Sequence, residues 1–240
     1  MAEYWDAAAL EALRDRIRAA DAARAADAAR SETAAGGPEP LRLELRDTEW
    51  PCRGINHHRQ IVRAMVVDDA GWFYFVRACR DDEFGKAVLI ESSGGGMEPG
   101  EDPETAIRRE LAEELGAQVE ILGPLGLVSD YYNLIRRHNL NHYYLCRVLS
   151  FGAKHLTPDE VQRFHLSTLR LRYGEALREY EARACTPLGR LIAARELPVL
   201  RRAGALLGLA EAGTDPINPA GVGVPDAPPY PARARPFRAN

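Results

Sequence analysis

The chain has no excess of basic charge: 31 Lys and Arg stand against 35 Asp and Glu in 240 residues, a formal net charge of −4. A nucleic-acid binder usually carries a clustered basic face, so no nucleic-acid partner is expected. No stretch approaches the ~20 apolar residues of a membrane helix, so no membrane partner is expected either. Met1 to Asp6 lacks the basic region and apolar run of a signal peptide. Cysteine is sparse: Cys52, Cys79, Cys146 and Cys185 are scattered without any C-x-x-C spacing. That speaks against a zinc site, and the four read as reduced, mostly buried thiols in a cytoplasmic protein.

What is present is unevenly distributed. Residues 1–35 hold 15 alanines. Leu10, Leu13 and Ile17 share one helical stripe there, and Gly36-Gly37-Pro38 ends it. Residues 1–37 therefore read as an Ala-rich helical extension, either the arm of a homodimer or an appended solvated helix. At the other end, residues 212–240 hold 7 of the 16 prolines and read as an irregular tail. The domain between them, residues 38–211, begins with an alternating strand at 41–45. Two apolar runs, 60–67 and 72–79, flank Asp68-Asp69-Ala70-Gly71 and read as a hairpin. Residues 87–91, 119–128 and 143–149 are strand-like. Residues 175–182 and 188–207 read as closing helices, the second with a kink expected at Pro198. Strands in runs, with helices between and after them, suggest a mixed sheet covered by helices.

The chemistry sits in residues 95–117. Gly95 is followed at fixed distances by Glu101, by Arg109-Glu110-Leu111, by Glu113-Glu114 and by Gly116-Ala117. Asp102 suits a helix cap, Pro103 suits the first helical position, and Gly116 sits where the helix would end. The stretch 103–115 is thus a helix of about three turns. Ile107, Leu111 and Leu115 form its core stripe at i+4 spacing. Glu110, Glu113 and Glu114, at i, i+3 and i+4, gather beside that stripe and repel each other. A divalent cation removes that cost, and hard cations such as Mg²⁺ take carboxylate and phosphate oxygens together. Gly94-Gly95-Gly96 lets backbone approach such a group closely.

This pattern resembles the Nudix box, Gly-x5-Glu-x7-Arg-Glu-U-x-Glu-Glu-x-Gly-U with U aliphatic. Every fixed position is filled, and only the last U is the weaker Ala117. The resemblance implies an α/β fold, a Nudix-type α/β/α sandwich with a mixed β-sheet over residues 38–211, to which the N-terminal Ala-rich helix is added. It implies a Mg²⁺- or Mn²⁺-dependent pyrophosphohydrolase that cleaves, with water, a nucleoside diphosphate linked to another moiety. The partner is then a nucleotide or other diphosphate-containing small molecule. Carried over position by position, Glu110, Glu113 and Glu114 are metal ligands, and Glu110 doubles as general base. Arg109 orients the glutamates. Glu101 is a further ligand or a structural partner of Arg109, and the Gly95 carbonyl also contacts a metal. Family members often recruit one more acid from a loop beyond the box. Glu160, in Thr157-Pro158-Asp159-Glu160, is the candidate base or ligand; the other reading is that these residues merely start a helix.

Substrate contacts are expected between 131 and 144, where cationic and aromatic side chains are dense. Tyr131, Arg136, Arg137 and His142 are the named residues, since Arg grips phosphate with two bonds and Tyr stacks on a base. The competing reading is a solvated hairpin whose aromatics pack on the sheet. Two other functions compete. A catalytically silent Nudix-fold nucleotide-binding or regulatory domain usually loses a box glutamate, and this chain keeps them all. A Nudix-fold isomerase would need a catalytic cysteine, with Cys79 and Cys146 the ones to consider.

Overall fold

Strand alternation decides the architecture. In β2 (His57–Val67), Val62, Ala64 and Val66 are buried on one face, and Met65 and Val67 on the other. Side chains alternate across a strand, so a strand apolar on both faces must be central and covered on both sides. β2 pairs in parallel with β6 (Arg137–Phe151), from His57↔Arg137 to Val67↔Arg147. Its far end pairs antiparallel with β3 (Phe73–Asp82). With β1 (Leu41–Leu45), β4 (Gly85–Ser92) and β5 (Ala117–Tyr132), the sheet order is β1-β5-β6-β2-β3-β4, and β7 (Ser167–Leu171) pairs with β3. The β1–β5 and β2–β6 pairs are parallel and the rest antiparallel, a mixed sheet.

Helices cover both faces. α1 (Pro103–Leu115) packs Ile107, Leu111 and Leu115 on Val62, Ala64 and Val66. The opposite face, with Met65, Phe73 and Phe75, is covered by α3 (Tyr173–Arg183) and α4 (Pro187–Leu206). α2 (Pro158–Gln162) is a single short turn between β6 and β7. The computed structural model describes residues 41–209, with Ala12 and Asp15 of the N-terminal extension, both helical. The rest of that extension, where a homodimer arm was one reading, and the Pro-rich tail lie outside the described residues.

Several elements depart from the sequence reading. β5 and β6 reach to residues 132 and 137, so most of the segment read as a recognition loop is strand. Its polar residues hide the alternation, while ladder pairing continues to Tyr132↔Arg137. What remains of the loop is one 3₁₀ turn, Asn133–Ile135, followed by Arg136 at φ 54°. β7 carried no clear signal because none of its residues is buried: four are half-buried and Arg170 is exposed. α4 runs through Pro198 as one helix, held by buried Ile192, Val199, Leu200 and Ala203 around the lost backbone bond.

Candidate functional site

The helix that carries the carboxylates begins and ends by local chemistry. Asp102 Oδ1 accepts from the Glu104 and Thr105 N–H groups, each at 3.0 Å. Gly116 closes the helix at φ 68°, a left-handed conformation that glycine takes without a Cβ penalty. The glycine loop before the helix lies along β2. Val62 N–H donates to Gly95 O at 2.9 Å and Ala64 N–H to Ser93 O at 3.0 Å. A Cβ on Gly94, at φ 143°, would lie 2.1 Å from Val62 O, so only glycine fits. A Cβ on Gly95 would lie 2.5 Å from Glu110 Oε2, because that carboxylate rests directly on the loop.

Arg109 is the organiser. Its guanidinium forks onto Glu101 with two bonds of 3.0 Å, and its Nη1 reaches Glu110 Oε1 at 2.8 Å and Glu113 Oε2 at 3.3 Å. Nη2 also donates to Gly96 O at 3.0 Å, tying helix to loop. The Arg109 bond holds the Glu101 carboxyl below its ordinary range. Glu114 points the other way: its Oε2 accepts from Ser93 Oγ at 2.6 Å and from Gly94 N–H at 2.9 Å. Burial nonetheless pushes the Glu114 carboxyl up to about 7, against both of those bonds. Glu110 is also raised, mainly by burial, with Arg109 opposing and Glu113 and Glu160 adding.

With these partners, no three His, Cys, Asp or Glu side chains among the described residues converge on one point. Arg109 and Ser93 stand where a cation would otherwise balance the charge. The donor set still suits one. It is oxygen-only, lies on one helix face and meets a loop cleared of side chains at Gly95. Gly95 O spends one lone pair on Val62 N–H and keeps the other.

Glu160 starts a helix, as one of its two readings has it. Its Oε2 caps α2, accepting from Thr157 N–H at 2.7 Å and Thr157 Oγ1 at 2.9 Å. The same residue lines a cleft of about 190 Å³ with Glu114 and Arg63, near enough for its charge to raise Glu110.

The NUDIX domain profile matches residues 57–183. The chain belongs to the Nudix family. Its similarity to the nucleoside triphosphatase NudI of Enterobacter sp. (strain 638) is 69% identity over 29 residues, 12% of this chain and 21% of that protein, so it spans only part of that relative. A NUDIX hydrolase from Nitrosomonas europaea superposes with a TM-score of 0.48 at 19% identity, over 61% of this chain and 88% of that one. The E. coli ORF135 protein superposes with a TM-score of 0.44 at 21% identity, over 62% and 91% of the two chains.

The cleft of this Nudix domain continues past Glu114. A second lobe of about 160 Å³ shares Arg63, Arg80, Glu91 and Gly94 with the first and is lined by five arginines. Arg137 is among them. The other residues named for substrate contact lie elsewhere. Arg136 Nε donates to Gly54 O at 3.2 Å. Tyr131 packs on the His138 ring at 4.7 Å, and His142 bonds Gln60 at 2.9 Å. Strand parity explains this: Asn139, Asn141 and Tyr143 alternate with His138, His142 and Tyr144 along β6, so Arg137 faces α4 and His142 faces away. Trp72 lies between Arg170 and Arg172, and Phe73 is core. Contrary to the expectation of mostly buried thiols, Cys52 and Cys185 are exposed and Cys79 half-buried; Cys146 alone is fully buried, and burial pushes its thiol far up, so it is no nucleophile.

Sequence reasoning missed the floor of this Nudix cleft. Arg195 is 1% exposed and sits in the middle of α4. It donates to Glu91 at 2.7 Å, Asp130 at 3.0 Å, Glu196 at 2.9 Å and Tyr132 Oη at 2.8 Å. Arg63 adds a 3.2 Å ion pair to Glu91. Burial alone would raise Glu91, but Arg63 and Arg195 outweigh it and hold the carboxyl down at about 2. A signal existed: Arg195-Glu196 interrupts the apolar stripe of Leu188, Ile192, Val199 and Ala203, where a charge must be paired to be buried.

Proposed function

We propose that the protein is a metal-dependent pyrophosphohydrolase acting on a nucleoside diphosphate linked to another moiety. The observation that carries this reading is geometric: one helix sets Glu110, Glu113 and Glu114 against the glycine loop, with Glu110 resting on Gly95 and Glu114 held by Ser93 Oγ and Gly94 N–H. The Glu114 carboxyl is buried there and pushed up to about 7. Such a site favours a proton or a cation over bare charge. Glu110, Glu113 and Glu114 would hold Mg²⁺ or Mn²⁺, which suit oxygen ligands, with Glu101 and the Gly95 carbonyl at the margin. A divalent cation there supplies charge neutralisation on the diphosphate and makes water more acidic.

The chain's own residues do the rest. Water adds its oxygen to one phosphorus, the bridging P–O bond breaks, and the leaving phosphate keeps the electron pair. The proton lost by water passes to a carboxylate. Glu110 is suited to receive it, since burial raises its proton affinity. Glu160 is the second candidate, from the rim of the cleft. Arg109 positions Glu110 and Glu113 by its bonds to both and leaves substrate to others. Arg63 and Arg80 join the two lobes, each already paired with a carboxylate, Glu91 and Asp82.

The test is a phosphate-release screen over nucleoside diphosphate derivatives, with Mg²⁺ and with Mn²⁺. Metal-dependent turnover of at least one of them is expected. Absence of turnover across the panel with either metal would overturn the reading.

A further inference from the structure

The arginine-lined lobe holds charge that the hydrolytic reading leaves unused. Of its five arginines, Arg63 and Arg195 are neutralised by Glu91 and its neighbours, and Arg80 by Asp82 at 2.7 Å through its Nε. Arg59 and Arg137 have no carboxylate partner among the described residues. Both are half-buried. Arg59 lies over the glycine loop, its Nη2 within 2.4 Å of where a Cβ on Gly96 would stand, beside the carboxylate helix. Arg137 comes from the neighbouring strand β6, with its guanidinium 5.6 Å from the Tyr132 ring and its buried Nε unpartnered. Burial, and then the charges of Arg59 and Arg80, push Arg137 below its ordinary range. Two cations thus repel each other, with only the charge of Asp130 near Arg137 to offset it, which costs energy unless an anion enters.

A second observation points the same way. Asn139 is 2% exposed and lines the same lobe. Its amide donates to Asp130 at 3.0 Å, while its Oδ1 has no partner. An orphaned buried acceptor costs about 1–3 kcal/mol unless a ligand or water donates to it. The lobe therefore offers two guanidinium forks and one acceptor. Its aromatic faces are already covered, Phe84 by Arg80 at 5.7 Å and Tyr132 by Arg137. At about 160 Å³ it is well below the roughly 300 Å³ where ordinary ligand pockets begin. It suits one compact anionic group better than a stacked base.

We propose that this lobe is a phosphate subsite, in which Arg59 and Arg137 bind a second phosphate group of the substrate, one outside the scissile diphosphate, and Asn139 accepts from a hydroxyl beside it. Two forks suit the dianion and terminal oxygens of a phosphate monoester better than the single charge of a carboxylate. The preferred substrates are then diphosphates whose other moiety is itself a phosphorylated, hydroxyl-bearing group. This substrate assignment rests on the hydrolase reading above; the anion site does not.

The test uses the full chain stripped of metal, with inorganic phosphate as probe against chloride at equal ionic strength. Phosphate should raise the melting temperature of the wild type, of Glu113→Gln and of the surface control Arg46→Gln. The shift should vanish in the Arg59→Gln/Arg137→Gln double variant. Without phosphate, Arg137→Gln should melt at the same or a higher temperature than wild type, since it removes like-charge repulsion; this also shows that the variant folds. Equal phosphate shifts in wild type and double variant, or no shift in wild type, would overturn the subsite. For the substrate class, KM is compared for NADH and NADPH, which differ by one phosphate monoester. NADPH should bind about tenfold better, and Arg137→Gln should erase the difference with little change in kcat. Equal KM for the two would overturn the substrate class. Phosphate binding through Arg59 and Arg137 in a chain that hydrolyses no diphosphate would sink the hydrolase reading and leave the subsite standing.

Discussion

Gly95 and Glu110 stand in such close contact that no methyl group fits between them: a Cβ on Gly95 would lie within 2.7 Å of both carboxylate oxygens. The neighbouring Gly94 is equally crowded, but by backbone, with Val62 O at 2.1 Å. The two glycines should therefore fail differently. Gly95→Ala displaces only the flexible end of Glu110, so the fold should hold while kcat falls at least about tenfold. Gly94→Ala meets an unyielding carbonyl at a φ that L-residues avoid, so it should lower the melting temperature first. Thermal melts and kcat for both variants check this; matching losses of stability would contradict it.

Removing one negative charge from the helix should cost catalysis. Glu113→Gln and Glu114→Gln should each lower turnover by at least about a hundredfold, since one charge-stabilising group is worth ~2.7 kcal/mol or more. Stability without metal should change little for half-exposed Glu113. Near-normal turnover in both variants, on any cleavable substrate, would remove the site assignment.

Glu114 and Glu91 set opposite pH limbs. The Glu114 carboxyl is raised to about 7 from an ordinary 4.5, so its protonated form is the one the metal-free fold prefers. That contribution is complete below about pH 4.5 and is lost as pH rises through 7, on the order of 3 kcal/mol at most. Glu91 is depressed to about 2, so its contribution is present above about pH 4.5 and lost as pH falls toward 2. Urea melts in chelator should weaken from pH 6 to 8 in the wild type and weaken less in Glu114→Gln, where only the raised Glu110 remains. Added Mg²⁺ should reverse the trend, because cation and proton compete for the same oxygens. A melt that strengthens from pH 6 to 8 without metal would count against the raised carboxyl.

Arg195→Met should be among the most damaging single substitutions in the domain. It leaves Glu91, Asp130 and Glu196 buried without their shared cation, a loss of about 3–5 kcal/mol. Pairing it with Glu196→Gln should recover part of that loss. Equilibrium unfolding of the single and double variants measures the coupling.

The helix at 103–115 is legible in the sequence because its signals are local: a cap, a proline, an i+4 stripe and a glycine stop. The mixed sheet follows from runs of strands around that helix. The arginine lobe is illegible for the opposite reason. Arg59, Arg137 and Arg195 come from β2, β6 and α4, and only the parallel register His57↔Arg137 brings the first two to one end of the sheet. Residues 131–142 read as a loop because polar side chains occupy both faces of a hairpin there. Once they are strand, parity assigns Arg137 to the cleft and His142 to the opposite face.

The segment shared with the family ends at residue 183, and Arg195 stands twelve positions beyond it, while its partners Glu91 and Asp130 lie inside. The back wall of the cleft is therefore supplied by a helix outside the matched segment, while Arg59, Arg137 and Asn139 on its other walls lie within it. Leu188 and Ile192, which face the same lobe from α4, offer positions for reshaping it without touching the glutamates. One buried cation thus ties the last helix to two strands of the matched segment, so the shape of the lobe and the stability of the domain rest on the same side chain.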